Sequence, residues 1–483
     1  MGTYREGYTK KMKLILLNII LLFSIIESKN LIISPLFYAS YQSSGGIWSV
    51  EEKDILLGGW GIVGKYNYDN FNVKLDFYNN RFFGINKRPN YFSKEQGLAW
   101  WKSVDDENNP NQDAFDFDVA NVKISYKNNN YELFSGKFNR HWGPGKSSLT
   151  ISNKSPSFAQ FGFNWTINPN IKFEYFHGSL KSLVIDSLNI DYYNELGIKN
   201  PNLNRFIAGH RIDFKIFPSM TLGASEIVVY GVRNMDMMYT IPFIPFWSLQ
   251  HYLGDLDNIQ LNFDFNWKIN QKINLYGSFL IDEWRPSLTF NKNKERNWFA
   301  YQLGTKGKNL FINNDNLILE YTWTDHRVYR HRFEINDYYN HGYPLGFWAG
   351  PHSEELFLNY NFEKFNFLFE IKYSNAKRGL LTEEMLTNQY IDQNDDFERY
   401  SNTFESISLL EFVINKFIYK GLNIHLGFNL IDWENANFDP YEISQNNLKN
   451  VNKKSYSIGF SYNFDIQKQK AFINEKSIQL KYD

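Results

Sequence analysis

The chain has 483 residues with 51 basic against 52 acidic side chains, a net charge of -1, so no charge excess points to nucleic acid. Apolar residues make up 43% and aromatic residues 18%, yet mean hydropathy is -0.47; the chain is polar on average and heavy in Tyr, Phe and Trp. Cysteine is absent, which excludes disulfides, a lipid-modified N-terminal Cys and thiolate metal sites, and no linker or change of composition divides the chain.

At the N-terminus an apolar run, residues 14–26, follows Lys10, Lys11 and Lys13 and precedes the small polar Ser28. It is too short to span a bilayer as a helix and predicts a cleaved secretory signal over residues 1–28, with Met12 as an alternative start.

Alternating segments follow. Between 258 and 269, Ile259, Leu261, Phe263, Phe265, Trp267 and Ile269 share one face, and Gln260, Asn262, Asp264, Asn266 and Lys268 the other. The pattern predicts strands at 33–42, 57–66, 71–83, 117–126, 131–142, 157–167, 171–181, 204–217 and 220–231. The second half adds 258–269, 272–284, 298–308, 316–329, 354–364, 365–378, 404–419, 422–433 and 454–465, which makes eighteen. Short turns rich in Asn, Asp, Gly and Pro alternate with nine long connections, among them 84–116, 182–203, 232–257, 330–353 and 379–403. Strict alternation with both ends on one side predicts an all-β fold, a transmembrane antiparallel β-barrel of the outer-membrane type over 29–465, with long loops extracellular and 466–483 as a periplasmic tail. Trp142, Trp284, Trp323 and Trp433 fall at the long-loop ends and Trp165 and Trp267 near the turn ends, as two aromatic belts would require.

The polar faces carry eight basic and seven acidic residues, including Arg211, Asp213, Glu320 and Glu370. Such balance argues against a strongly ion-selective pore and fits cross-barrel ion pairs that rigidify the wall or hold a plug. The 84–116 loop, with Trp100 and Trp101, is long enough to fold inward.

Signals for chemistry are sparse. Asp325-His326 with His331 comes closest to metal-ligand spacing, but Arg327, Arg330 and Arg332 surround it and oppose a cation, so no metal or cofactor is expected. There is no G-x-S-x-G elbow, P-loop or H-E-x-x-H, and His210, the lipid-face candidate for a hydrolase, is more simply an interfacial residue; no catalytic residue is assigned. The densest local signal runs R-H-W-G-P-G-K-S-S-L-T-I-S-N from Arg140 to Asn153. Gly143-Pro144-Gly145 forces a tight turn that would present Trp142 beside Arg140, His141 and Lys146 at the outer rim. An indole among cations suits a sugar ring bearing a carboxylate, and equally a girdle Trp whose neighbouring cations pair with lipid headgroups.

That W-G-P-G stretch with its trailing L-T-I-S-N resembles the signature of the outer-membrane capsule-assembly (Wzi) family. Further matches are Gly209-His210-Arg211, Pro344-Leu345-Gly346, and Gly350-Pro351 followed by Glu354-Glu355-Leu356, most clearly within 134–362. The resemblance implies an eighteen-stranded barrel acting as a surface lectin for exported capsular polysaccharide. Described members carry a periplasmic helical bundle before the barrel, whereas fewer than thirty residues separate the expected signal from strand 57–66 here. The expected function is non-enzymatic binding of surface polysaccharide in the outer membrane of a diderm bacterium, through Arg140, His141, Trp142, Lys146, Arg327, Arg330 and Arg332. Outer-membrane lipids and the barrel-assembly machinery are the other expected partners. A channel for small neutral solutes is the alternative.

Overall fold

A computed structural model describes residues 26–27, 30–85, 100–104, 113–190, 201–291, 296–382, 385, 397–419, 422–442 and 444–463. Nearly all of the expected signal, the tail 466–483 and much of the 84–116 loop lie outside the described residues.

Among the described residues eighteen strands form the wall. The first nine are β1 (Leu31–Gln42), β2 (Ile55–Tyr68), β3 (Phe71–Phe83), β4 (Ala114–Lys127), β5 (Tyr131–Phe138), β6 (Phe158–Asn168), β7 (Ile171–Ile185), β8 (Asn202–Phe217) and β9 (Met220–Gly231). They continue as β10 (Asn258–Lys268), β11 (Ile273–Trp284), β12 (Asn297–Lys308), β13 (Asn316–Thr324), β14 (Ser353–Lys364), β15 (Phe367–Gly379), β16 (Phe404–Tyr419), β17 (Leu422–Ala436) and β18 (Lys449–Asn463). Each pairs antiparallel with its chain neighbours, and β1 closes on β18 from Leu36↔Asn463 to Gln42↔Ser457, so the barrel has no free edge. This is the closed β-barrel of the outer-membrane type that the alternating pattern predicts.

The alternation explains which way each face points. On β10, Asn258, Gln260, Asn262 and Asp264 are buried, whereas Phe263 and Trp267 stand exposed on the outside. Leu75, Leu133, Phe214, Phe279, Leu303 and Leu426 are exposed in the same way around the wall, the apolar band a bilayer requires.

Two strands end earlier than their alternation predicts. The segment expected at 131–142 leaves the wall after Phe138, and that at 316–329 leaves after Thr324. Beside β4 the vacated ladder is filled by Trp100–Val104, which pairs with 114–118 and releases residues 139–157 from the wall. The belts need correction accordingly. Trp284 is exposed, Trp323 partly so, and Trp165 and Trp267 are exposed toward the other end, but Trp142 and Trp433 are buried. Trp142 lies in the inward segment, and the Trp433 indole points inward, donating from Nε1 to Glu405 Oε1 at 2.9 Å.

Candidate functional site

Residues 139–157 run down inside the barrel. Arg140 donates from Nε to Gln160 Oε1 at 2.9 Å and lies 3.5 Å from Glu174 Oε2, with its guanidinium over the Phe176 ring at 4.5 Å. Trp142, 3% exposed, donates its indole N–H to the same Glu174 oxygen at 2.9 Å. Glu174 is close to the β6–β7 turn, so the indole has travelled most of the wall's height. His141 Nε2 contacts Gly145 O at 3.2 Å. Deeper still, Lys306, near the β12–β13 turn, donates to Pro144 O at 2.7 Å.

Glu320 on β13 fastens the far side of this segment, its carboxylate accepting from Lys146 N at 2.7 Å, Ser147 N at 3.1 Å and Tyr276 Oη at 2.6 Å. The Lys146 ammonium rests over the Phe357 ring, and Gln302 Nε2 donates to Ser147 O at 2.6 Å. Two glycines make room. A side chain at Gly145 would collide with Gln302, and a Cβ at Gly209 would stand 2.6 Å from the Phe176 ring and 3.0 Å from the Trp142 indole. The close approach of the W-G-P-G turn to the wall therefore depends on two glycines far apart in sequence, Gly145 in the turn itself and Gly209 on β8. The expectation that this turn presents Trp142 at the rim is corrected: Glu174, accepting from the Trp142 indole, and Glu320, accepting from the amides of Lys146 and Ser147, hold it in the lumen instead.

Residues 325–352 close over the inward segment at the long-loop end. Tyr329 Oη donates to Leu149 O at 2.6 Å, Ser152 N to Leu345 O at 2.7 Å and Asn340 Nδ2 to Pro156 O at 2.9 Å. Arg205, 2% exposed, anchors this cap to the wall by donating to the carbonyls of Ile335 at 2.5 Å, Glu334 at 2.7 Å and Tyr339 at 3.0 Å. Sequence reasoning missed Arg205, since nothing local distinguishes it from any other polar-face cation.

The arginine cluster in this cap is divided by its surroundings. Arg327 is buried and forked onto Asp325 at 2.8 and 3.1 Å. Arg330 pairs with Asp337 at 3.0 Å and lies 5.0 Å from the ring of Tyr441, which is 46% exposed. Arg332 is exposed beside the Phe333 ring at 4.9 Å, and its guanidinium donates to Asp255 O at 2.6 Å. Of these three arginines, Arg332 is exposed and Arg330 partly so, each beside an aromatic face that a large solute could reach.

Below the cap the wall charges pair across strands. Arg211 is bidentate on Asp264 at 2.6 and 2.9 Å and reaches Asp213 at 2.7 Å, while Glu370 and Glu411 flank Lys372 at 3.0 and 3.3 Å.

The cap carries a built-in pH dependence. Burial pushes the imidazoles of His331 and His341 down to about 4 and that of His352 down to about 3. In the opposite sense, burial raises the Asp337 carboxyl to about 6 despite Arg330. As pH falls from about 6.5 to about 5, an opened cap takes up protons on three histidines that the closed cap refuses, while the closed cap gains the advantage of one proton on Asp337; the balance favours opening. Amide exchange in 325–352, corrected for its intrinsic rate, is expected to be several-fold faster at about pH 5 than at about pH 7.5. Equal protection at both values would contradict this balance.

Comparison with known proteins adds an independent line. A family model described as "Capsule assembly protein Wzi" matches residues 61–448. Among solved structures, the chain is similar to Wzi of Escherichia coli, described as an outer membrane protein involved in group 1 capsule assembly and a carbohydrate-binding β-barrel, at 15% identity and a TM-score of 0.54, covering 89% of this chain and 83% of that one. OccAB2 of Acinetobacter baumannii gives 12% identity and a TM-score of 0.47 over 90% of this chain and 98% of that one. No curated protein sequence matches significantly.

Proposed function

The chain belongs to the Wzi family of capsule assembly proteins, and from that premise we propose that it is a non-enzymatic outer-membrane barrel that binds or organises surface polysaccharide, with its long loops facing the cell exterior. One observation carries the reading: the lumen holds the protein's own residues 139–157, fastened to Glu174 and Glu320 and covered by the cap. A barrel built that way suits retention at its surface better than passage of solutes.

Arg330 with Tyr441 and Arg332 with Phe333 are the groups a glycan meets first. An aromatic face stacks on the apolar side of a sugar ring, and the adjacent guanidinium bonds its carboxylate. Arg140, His141, Trp142, Lys146 and Arg327 hold the plug and cap in place and support that surface from beneath. The host's purified surface polysaccharide is expected to bind the reconstituted protein. Arg332→Ala with Tyr441→Ala is expected to weaken binding about tenfold or more, because removing a hydrogen bond to a charged group costs about 1.5–3 kcal/mol. Unchanged affinity in the double variant would remove these residues from the site; absence of binding by the unaltered protein would remove the function.

A further inference from the structure

The long connection after β9 does not enter the lumen. Arg211 and Asp264 face inward, so His210, next to Arg211 on β8, faces outward, toward the bilayer, as do Glu226 and Tyr230 on β9 and Tyr175 on β7. Residues 232–257 fold back over this outer face. Tyr239 packs on Tyr230 at 5.1 Å and Phe246 on His210 at 4.4 Å, and Tyr175 Oη donates to Tyr239 O at 3.0 Å. Phe243 stacks on Phe173 at 5.1 Å. Phe173 pairs in register with Trp165 of the turn-end belt, so this segment descends the outside of the wall nearly to the opposite membrane boundary.

Its chemistry fits that location. Residues 237–249, M-M-Y-T-I-P-F-I-P-F-W-S-L, contain no charged side chain. In hydrocarbon every unpaired backbone N–H costs several kcal/mol; Pro242 and Pro245 have none, and Thr240 and Ile241 bond to Met237 and Met238 carbonyls. Glu226 accepts from the amides of Phe246 at 2.8 Å and Trp247 at 2.6 Å, which open the short helix α1 (Phe246–Tyr252), while also facing His210 Nε2 at 3.0 Å. A carboxylate and an imidazole on the lipid side of a barrel are costly when bare, and here the segment covers both. At the ends of the segment Arg233 grips Asp257 at 2.7 and 2.9 Å, clasping them together. Its own outward side chains, Met237, Ile241, Phe243, Ile244 and Trp247, are exposed.

We propose that residues 237–249 form an intramembrane strap on the outside of the barrel, whose exposed apolar side chains lie among the acyl chains of the surrounding lipid. The inference is independent of the polysaccharide reading. Lipid hydrocarbon is the occupant because the strap sits at the depth of the lipid-facing wall, is uncharged throughout and leaves few backbone donors.

The absence of cysteine makes the test direct. Phe243→Cys and, as a second variant, Ile244→Cys are labelled with an environment-sensitive fluorophore in full-length protein reconstituted into phosphatidylcholine vesicles, with Phe263→Cys on the wall as the lipid-facing reference. A nitroxide placed midway along the acyl chain is expected to quench the strap labels within about twofold of the reference, and aqueous iodide to leave them unaffected. Strong iodide quenching would place the strap in water. Protection from both quenchers would place it against a second copy of the chain. Either result overturns the proposal.

Discussion

Replacing Arg205 by Met is expected to free the 325–352 cap from the wall while leaving the barrel closed. The guanidinium is fully desolvated and satisfies three cap carbonyls at once, those of Glu334, Ile335 and Tyr339. Met keeps most of the volume but donates nothing, so three cap carbonyls, one buried and two partly buried, are deprived of charge-assisted bonds of about 1.5–3 kcal/mol each, and allowing for non-additivity the cap is weakened by about 3–5 kcal/mol. That makes the open cap about a hundredfold or more better populated, and trypsin is expected to cut at Arg327 or Arg330 correspondingly faster in a barrel that still migrates as folded. Arg205→Lys, which carries the charge without the planar fork, belongs in between. A cleavage rate equal to that of the unaltered protein would mean that Arg205 does not hold the cap.

The second large effect is expected at Glu320. Its two oxygens take the amides of Lys146 and Ser147 and the hydroxyl of Tyr276, tying the inward segment to the wall just beyond its deepest turn. Glu320→Ala leaves those donors facing an apolar gap, and each buried donor without a partner costs about 1–3 kcal/mol. The segment is expected to leave the lumen, and vesicles carrying the variant to swell in neutral sugars that do not enter through the unaltered protein. Glu320→Gln, whose amide oxygen still accepts from the backbone and whose NH2 can meet Tyr276, is expected to leak far less. If the alanine variant stays as tight as the original, the plug is held by something other than this carboxylate.

The wall was readable because its physics is local. Period-two alternation, with turns of Asn, Asp, Gly and Pro alternating with long loops, locates all eighteen strands to within a few residues at most ends. The failures are equally physical. At 139–142 and 325–329 the alternation continues after the backbone has left the wall, since a side-chain pattern says nothing about whether a neighbouring strand is still there to pair. Trp142 looked like a girdle residue for the same reason. What draws it inward is Glu174, a residue 32 positions later, and the Glu320 bond to Lys146 spans 174 positions. Inside a barrel such bonds join any strand to any loop, and no local window contains them. The strap at 237–249 lies in plain view as an uncharged, proline-bearing run, yet sequence offers no means of telling a loop that crosses the outer face from one that stands in solvent. Of the cations expected to meet a glycan, Arg332 stands at the surface and Arg330 is partly exposed, both with aromatic neighbours, whereas Arg140, Lys146 and Arg327 are committed to holding the interior together.

An eighteen-stranded wall left empty would conduct, because the enclosed diameter admits water. This wall is filled and capped by its own chain, which leaves the protein to work at its surface. Purified protein inserted into a planar bilayer at neutral pH measures this directly. The filled barrel is expected to remain electrically silent after insertion, and a steady ohmic current through each inserted molecule would contradict it.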